Sequence, residues 1–269
     1  METEENSLKH LIALPHRPDK PRTRGMTVAI DNGAPTRWFT DIIDSHHRHV
    51  DLIKFGWGTS LVSDNLLDKI RVLKSHGIGY FFGGTLFEVA FHQNRVEAFR
   101  RYCLDYECAF VEISNGTVPM DSHQKSRFIR EFARDFRVLS EVGYKDNERS
   151  LRLHPARWIE YLQEDLAAGA YKVVTEARES GTGGICRADG EVRYGLIEEI
   201  LGAPLAEDSL VFEAPTKDLQ TYFIRRVGPN VNLANIALHD VISLETLRMG
   251  LRADTFGAVS EPGRAQDFE

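Results

Sequence analysis

The chain has 269 residues, 42% of them hydrophobic and 27% charged, which is typical of a globular protein that buries its core without a stapling metal or disulfide. Its 33 Lys and Arg residues against 40 Asp and Glu give a formal net charge of −7, which disfavours a general nucleic-acid binder. The sequence contains no run of about 18 apolar residues, so it predicts no membrane span. The acidic opening segment Met1–Glu5 is unlike a secretory signal.

The ends of the chain and its cysteines predict a simple organisation. Residues 1–24 are rich in Pro and Arg without a steady period, and we interpret them as an N-terminal arm. A single domain is expected over residues 25–260, followed by a tail at 261–269. The cysteines, Cys103, Cys108 and Cys186, are odd in number and lack the paired spacing of a zinc site. We therefore expect free thiols and a cytoplasmic protein.

From Met26 onward, eight short and nearly continuous apolar runs predict strands that are buried on both faces. The runs are Met26–Asp31, Asp51–Gly56, Ile78–Gly83, Ala109–Ser114, Phe136–Val142, Ala170–Glu176, Ser209–Ala214 and Val231–Ile236. About eight amphipathic stretches alternate with them, among them Asn65–His76 and Arg157–Ala168. This alternation favours an α/β fold, a single-domain (β/α)8 TIM barrel, over an open sheet of six or seven strands.

Nearly every predicted strand carries a charged or amide side chain at its C-terminal end. Because the C-terminal ends of barrel strands meet at one mouth, we expect these side chains to converge there. They are the lysines Lys54 and Lys145, the glutamates Glu112, Glu141, Glu176 and Glu213, and the asparagines Asn232 and Asn235. The first strand ends in Asp31, and Arg178 follows Glu176.

Two interpretations of these charges are open. A structural ion pair of Lys54 with Glu112 or Glu213 would explain any one of them, because a buried charge is costly unless it is paired. The whole set is harder to explain that way, because several crowded carboxylates repel one another and raise one another's pKa. A hard divalent cation removes this repulsion, and carboxylate oxygens without His or Cys favour Mg²⁺ over zinc.

A glycine-rich segment follows the sixth predicted strand. Glu179–Gly184 contains three glycines and two hydroxyl side chains, and such a loop can expose backbone N–H groups to an anion. It matches neither the P-loop nor the dinucleotide-binding pattern, so a plain flexible loop is the alternative. Its position just after Arg178, at the expected mouth, favours anion binding.

A series of ordered motifs runs from about Arg22 to Gly257. They are IKFGWGTS (Ile53–Ser60), FFGGTLFE (Phe81–Glu88), VEISNGT (Val111–Thr117), LSEVG (Leu139–Gly143), TEARESGTGG (Thr175–Gly184), FEAP (Phe212–Pro215), GPNVNLANI (Gly228–Ile236), ISLETLR (Ile242–Arg248) and GLRADTFG (Gly250–Gly257). In these motifs the chain resembles the phosphosulfolactate synthase family. The arm and the SNGT segment, Ser114–Thr117, are closer to the bacterial branch of that family.

The resemblance implies a (β/α)8 barrel and a carbon–sulfur lyase that adds sulfite to phosphoenolpyruvate with Mg²⁺, forming (2R)-phospho-3-sulfolactate. Lys145 matches a family lysine in the role of general acid, with a pKa lowered by nearby cations, and Lys54 is the next candidate. The implied metal ligands are Glu112, Glu141 and Glu176, with Glu213 in reserve. The residues expected to bind substrate oxygens are Arg178, Ser180, Gly181, Thr182, Gly183, Gly184 and Asn235.

Two other functions are weighed against this one. The first is a non-catalytic, stress-associated barrel, which the intact charged strand ends disfavour. The second is a related enolate-type lyase that uses another nucleophile, and the sequence leaves this alternative open. In either enzymatic case we expect small anionic substrates, neither nucleic acid nor a membrane as partner, and a homo-oligomer.

Overall fold

The structure is a computed structural model that describes residues 12–258, and its eight parallel strands each fall on one of the predicted runs. The strands are β1 Thr27–Asp31, β2 Leu52–Phe55, β3 Gly79–Phe82, β4 Phe110–Ile113, β5 Arg137–Val142, β6 Lys172–Thr175, β7 Leu210–Glu213 and β8 Leu233–Ala237. All the predicted strands are therefore confirmed, with bounds that differ by at most two residues.

Ten α-helices connect and follow these strands within the described residues. They are α1 Thr36–His46, α2 Leu66–Ser75, α3 Gly84–His92, α4 Val96–Asp105, α5 Ser122–Phe132, α6 Asn147–Arg152, α7 Pro155–Ala167, α8 Tyr194–Gly202, α9 Lys217–Val227 and α10 Val241–Arg248. The number exceeds the predicted eight because two connections, β3 to β4 and β5 to β6, contain two helices each. None of the helices described is long and apolar enough to cross a membrane.

The strands form one eight-stranded sheet in the order β3-β2-β1-β8-β7-β6-β5-β4, in which every paired neighbour is parallel. The two end strands, β3 and β4, lie side by side without ladder hydrogen bonds between the described residues, so the barrel is nearly closed. The predicted (β/α)8 TIM barrel is thus confirmed.

The apolar core has an inner and an outer part. The outer part lies between sheet and helices and contains most of the large buried aromatics, including Phe39, Phe87 and Trp158. The inner part fills the barrel with one apolar layer. That layer consists of Met26, Val28, Leu52, Phe81, Phe110, Leu139, Val174, Val211 and Ala234.

The inner apolar layer fixes where the charged residues go. Side chains on a strand alternate between its two faces, so a residue two positions after an inward residue also faces inward. Lys54 follows Leu52 in this way, and the four glutamates follow their strands' apolar residues by the same step. These are Glu112 after Phe110, Glu141 after Leu139, Glu176 after Val174 and Glu213 after Val211. A charged layer therefore lies above the apolar one, toward the C-terminal end of the barrel.

The described part of the predicted arm lies against the opposite, N-terminal end of the barrel. Arg17 forms an ion pair with Glu245 at 2.9 Å, and Arg22 forms one with Asp51 at 3.0 Å. Residues 1–11 of the arm and the predicted tail at 261–269 lie outside the described residues. The three cysteines are buried and free, as expected.

Asn232 also lies at this N-terminal end, so its expected place at the mouth is wrong. It precedes β8, accepts a hydrogen bond from Met26 N at 3.0 Å and donates one to Leu210 O at 3.0 Å. These are connections to the starts of the neighbouring strands.

Candidate active site

A cavity of about 200 Å³ opens at the C-terminal end of the barrel. Seven of the predicted site residues line it: Lys54, Glu141, Lys145, Glu176, Arg178, Glu213 and Asn235. The strand-end pattern therefore brought these side chains together as expected. Glu112 lies just below the cavity, where its Oε2 accepts a hydrogen bond from Gly84 N at 2.5 Å and contacts Lys54.

Lys54 is at the centre of the charged layer. Its Nζ lies 3.0 Å from Glu112 Oε2, 3.2 Å from Glu213 Oε1 and 3.5 Å from Glu141 Oε2. Oxygens of these three carboxylates lie within 4.8 Å of one another. Burial alone would lower the pKa of Lys54, but the three glutamates raise it well above the ordinary value. Lys54 therefore carries a permanent positive charge that offsets part of the carboxylate repulsion.

The four glutamates respond differently to this environment. Burial raises the pKa of Glu112, that of Glu213 to about 7, and that of Glu176 well above its ordinary value, and neighbouring carboxylates add to each rise. Burial has the same effect at Glu141, but Lys145 and Lys54 outweigh it and hold the pKa of that carboxyl at about 2. The surroundings thus favour the ionised form of Glu141 and the protonated form of Glu176, because like charges in a confined space repel one another.

Three buried oxygens of the site make no hydrogen bond with the described residues. They are Glu141 Oε1, Glu176 Oε2 and Asn235 Oδ1. Buried polar atoms are ordinarily satisfied, and orphaned oxygens in a cavity call for an external partner. Oxygen atoms from carboxylates and an amide are a donor set that suits a hard divalent cation.

Lys145 extends over this group from the loop after β5. Its Nζ donates a hydrogen bond to Thr85 Oγ1 at 2.9 Å, and its backbone N donates to Gly116 O at 3.3 Å. Burial opposes the charge, but Glu141, Glu176 and Glu88 raise the pKa of Lys145 above its ordinary value. The expected lowering of this pKa is therefore not produced by the side chains of the chain, because carboxylates rather than cations dominate the surroundings of Lys145.

The glycine-rich segment is arranged differently from the expectation. Arg178 and Glu179 line the cavity, whereas none of the five residues Ser180, Gly181, Thr182, Gly183 and Gly184 is among its described lining. Part of the segment's backbone is occupied internally, since Gly181 N donates to Arg178 O at 2.7 Å and Arg178 N donates to Thr182 O at 3.1 Å. The segment therefore forms a tight turn that supports Arg178, and direct anion binding by its N–H groups stays a prediction.

Gly184 is the residue that lets this turn return to the barrel. Its φ is +58°, and a Cβ at this position would lie 1.9 Å from the carbonyl oxygen of Glu176. Only glycine fits both the left-handed backbone and this close approach. Gly184 thus acts on the site through the backbone of Glu176.

A backbone irregularity brings Asn235 to the site. The pairing of β1 with β8 shifts between Thr27 and Ala29, where Thr27 is opposite Leu233 but Ala29 is opposite Ile236. The extra residue in β8 is a bulge, and Asn235 within it has a φ of +56°. Strict alternation after inward-facing Ala234 would turn Asn235 outward, so the bulge is what redirects it to the cavity.

Some lining residues were not among the predicted site residues. Trp57, Thr85 and Thr117 line the cavity, and Trp57 has a φ of +52° that is unusual for a bulky side chain. Each belongs to a motif that follows a strand, which was the signal available in the sequence. Glu88, buried in α3 close to the loop that carries Thr117, ends the same motif as Thr85, but its helix is otherwise mainly apolar and nothing in the sequence links its carboxylate to that loop.

Comparison with known proteins places the chain in a family. The model of the (2R)-phospho-3-sulfolactate synthase (ComA) family matches residues 15–254. A phosphosulfolactate synthase of Bacillus subtilis is 52% identical over 245 residues, which are 91% of this chain and 97% of that protein. One from Methanothermobacter thermautotrophicus is 40% identical, over 91% of this chain and 96% of that protein.

Solved structures support the fold alone. A 3-hexulose-6-phosphate synthase superposes with a TM-score of 0.54 at 14% identity, over 87% of this chain and all of that one. At such identity the likeness extends to the barrel and not to the chemistry. The sequence matches cover nearly all of the described barrel and its charged layer: the chain belongs to the (2R)-phospho-3-sulfolactate synthase family.

Proposed function

We propose that this protein catalyses the Mg²⁺-dependent addition of sulfite to phosphoenolpyruvate, forming (2R)-phospho-3-sulfolactate, as a carbon–sulfur lyase. The observation that carries the proposal is the cavity in which Lys145 and Arg178 lie beside Glu141 and Glu176. Both substrates are anions, so they need cationic groups in an otherwise acidic protein. The two relatives named phosphosulfolactate synthase, which align over nearly the whole chain, support this choice of substrates.

The donor atoms of the site fit a magnesium ion. Glu141, Glu176 and Asn235 each offer a buried oxygen without a partner, whereas Glu112 and Glu213 are engaged with Lys54. We therefore propose that Glu141 and Glu176, assisted by Asn235, hold the ion, and that Glu112 and Glu213 position Lys54 next to it. A bound Mg²⁺ would supply a Lewis acid for the negative charge that develops on the substrate carboxylate.

Cationic side chains of the cavity can bind the phosphate and sulfonate groups of the substrates. Arg178 lines the cavity, and its guanidinium group can form two parallel hydrogen bonds with phosphate or sulfonate oxygens. Lys145 also lines the cavity, and Thr85 accepts a hydrogen bond from its ammonium group. Trp57, which is half exposed, offers an apolar surface at the cavity.

The reaction then needs one bond formation and one proton transfer. The sulfur lone pair of sulfite attacks the methylene carbon, C3, and the electrons of the C2–C3 double bond move toward the carboxylate, giving an enediolate. Lys145 donates its proton to C2, the carbon that bears phosphate, and regains a proton from solvent. The neighbouring carboxylates keep Lys145 protonated at the start of each cycle. The charge of a bound Mg²⁺ would lower the pKa of Lys145 toward the range in which an ammonium group can give up its proton.

Incubation of the protein with phosphoenolpyruvate, sulfite and Mg²⁺ tests the proposal. We expect the absorbance of phosphoenolpyruvate to fall only when all three are present, and Glu141→Gln to abolish the change while the far-UV circular dichroism stays unchanged. A fall without sulfite would instead favour another nucleophile, and phosphoenolpyruvate that persists in the complete mixture would refute the activity. A cytoplasmic location and a homo-oligomer stay predictions.

A further inference from the structure

Glu88 is a buried carboxylate that forms no close ion pair within residues 12–258, although its charge contributes to the raised pKa of Lys145. It is on α3 and is 2% exposed. Its Oε1 accepts hydrogen bonds from Ser114 Oγ at 2.6 Å and from Gly116 N at 2.8 Å, and its Oε2 accepts one from Thr117 N at 3.1 Å. A buried carboxylate is costly unless it is hydrogen-bonded, so these three donors are what makes Glu88 tolerable in the core.

All three donors belong to the loop that follows β4, residues 114–117. This loop contacts the backbone of Lys145, because Gly116 O accepts the hydrogen bond of Lys145 N at 3.3 Å. It also brings Thr117 to the wall of the cavity beside Lys145. Glu88 therefore orders the segment that fixes the main chain of Lys145.

The same helix also holds the other end of Lys145. Thr85 is one turn before Glu88 on α3, and its Oγ1 accepts the hydrogen bond of Lys145 Nζ at 2.9 Å. The start of α3 is itself anchored, since Gly84 N donates to Glu112 Oε2 at 2.5 Å. Helix α3 thus positions the ammonium group of Lys145 directly through Thr85. It positions the backbone of Lys145 indirectly, through Glu88 and the 114–117 loop.

We infer that Glu88 is a positioning residue, which holds the 114–117 loop so that Lys145 is placed over the charged layer. The inference rests on the proposed function for the role of Lys145 in proton transfer, but the positioning itself is a property of the protein alone. A displacement of about 1 Å at a catalytic group can cost about 10²-fold in rate, so such support is expected to affect turnover strongly.

Three variants separate positioning from mere stability. Glu88→Leu removes both acceptor oxygens, and Glu88→Gln keeps one acceptor oxygen on a side chain of the same length. Val89→Ala, at an exposed neighbour on the same helix, is the matched control. We expect kcat to fall about 10²-fold in Glu88→Leu, with a smaller change in KM for phosphoenolpyruvate. Glu88→Gln should recover most of that loss, and Val89→Ala should behave as the wild type.

Two measurements without turnover test the inference independently. Hydrogen exchange should show faster exchange at Gly116 and Thr117 in Glu88→Leu, and reductive methylation followed by peptide mass spectrometry should show faster labelling of Lys145. Unchanged exchange and labelling, or an unchanged kcat in an active enzyme, would overturn the inference. If Glu88→Leu fails to fold, hydrogen exchange of Glu88→Gln decides: exchange should be faster at Thr117, whose N–H loses its acceptor, and unchanged exchange there would overturn the inference. If the wild type proves inactive, the proposed function fails, and exchange and labelling still decide whether Glu88 positions Lys145.

Discussion

Lys54 Nζ lies 3.0 Å from Glu112 Oε2 in the interior of the barrel, where the two side chains are 10% and 2% exposed. Because Glu141 and Glu213 are also within 3.5 Å of the same nitrogen, Lys54 is the common counterion of three buried carboxylates. A residue in this position stabilises the charged layer before any substrate binds. Its expected role as a second general acid is therefore less favoured by the geometry than a role in charge balance.

Replacement of Lys54 by methionine should destabilise the protein strongly. Breaking a buried ion pair by removal of one partner leaves an uncompensated charge and typically costs about 3–5 kcal/mol in the free energy of unfolding. Urea unfolding followed by circular dichroism measures this loss. Lys74→Met is the matched control, since Lys74 pairs with Glu107 at 2.9 Å on the surface and its replacement should leave the unfolding midpoint unchanged. Equal midpoints for Lys54→Met and the wild type would contradict the role of Lys54 as counterion.

The metal-free protein should lose stability as the pH rises from about 4.5 to about 7. Burial and neighbouring carboxylates raise the folded pKa of Glu213 to about 7 and that of Glu176 well above the ordinary value of 4.5. In this window the folded state holds protons that the unfolded state has released, so stability falls with rising pH. Thermal unfolding in EDTA at pH 5 and pH 8 measures the effect.

Added Mg²⁺ should reverse this loss at pH 8, because an ion that binds only the folded state stabilises it. Glu213→Gln, which cannot ionise, should flatten the pH dependence and is the control for this assignment. A melting temperature in EDTA that is independent of pH across this window would show that the pKa values of Glu176 and Glu213 are not raised in the folded protein.

Lys145→Arg should keep substrate binding and lose turnover. Arginine retains the positive charge but stays protonated in proteins, so it cannot replace the acid. We expect kcat to fall about 10²–10⁴-fold while the affinity for phosphoenolpyruvate stays close to that of the wild type, and Lys145→Ala should lose both. Steady-state kinetics with isothermal titration of phosphoenolpyruvate separates these effects. A Lys145→Arg enzyme with wild-type turnover would make Lys145 an electrostatic contact only.

Gly184→Ala should disrupt the site through the backbone. The added Cβ would meet Glu176 O at 1.9 Å in a backbone with φ of +58°, so the turn must move and Glu176 with it. We expect a loss of activity together with a lower melting temperature. Gly202→Ala is the control, since a Cβ there meets nothing within 4 Å, and it should leave both unchanged. Normal activity in Gly184→Ala would mean that the turn is not needed to hold Glu176.

Strand periodicity was enough to predict the barrel and most of the charged layer. The charged residues were predictable because each lies at the end of an apolar run, and parallel strands bring such ends to one mouth. The two asparagines of the last strand show the limit of this argument. Asn232 and Asn235 are equally good candidates in sequence, but Asn232 precedes β8 at the N-terminal end of the barrel, whereas the bulge in β8 directs Asn235 to the cavity.

Long-range contacts account for what the sequence did not show. Glu88 is within an apolar helix, and only the fold reveals that the 114–117 loop supplies its three donors. The glycine-rich segment suggested an anion site, whereas its own hydrogen bonds with Arg178 use part of the backbone that such a site would need. In each case the decisive partner is distant in sequence or is the main chain, where side-chain patterns carry little information.

The most direct test of the account is the fate of the methylene carbon of phosphoenolpyruvate. With phosphoenolpyruvate labelled with ¹³C at C3, sulfite, Mg²⁺ and the enzyme, nuclear magnetic resonance should show the alkene signal replaced by that of a saturated carbon bonded to sulfur, with phosphate retained. A C3 signal that stays at the alkene position, or a product that lacks sulfur, would contradict carbon–sulfur bond formation at this site.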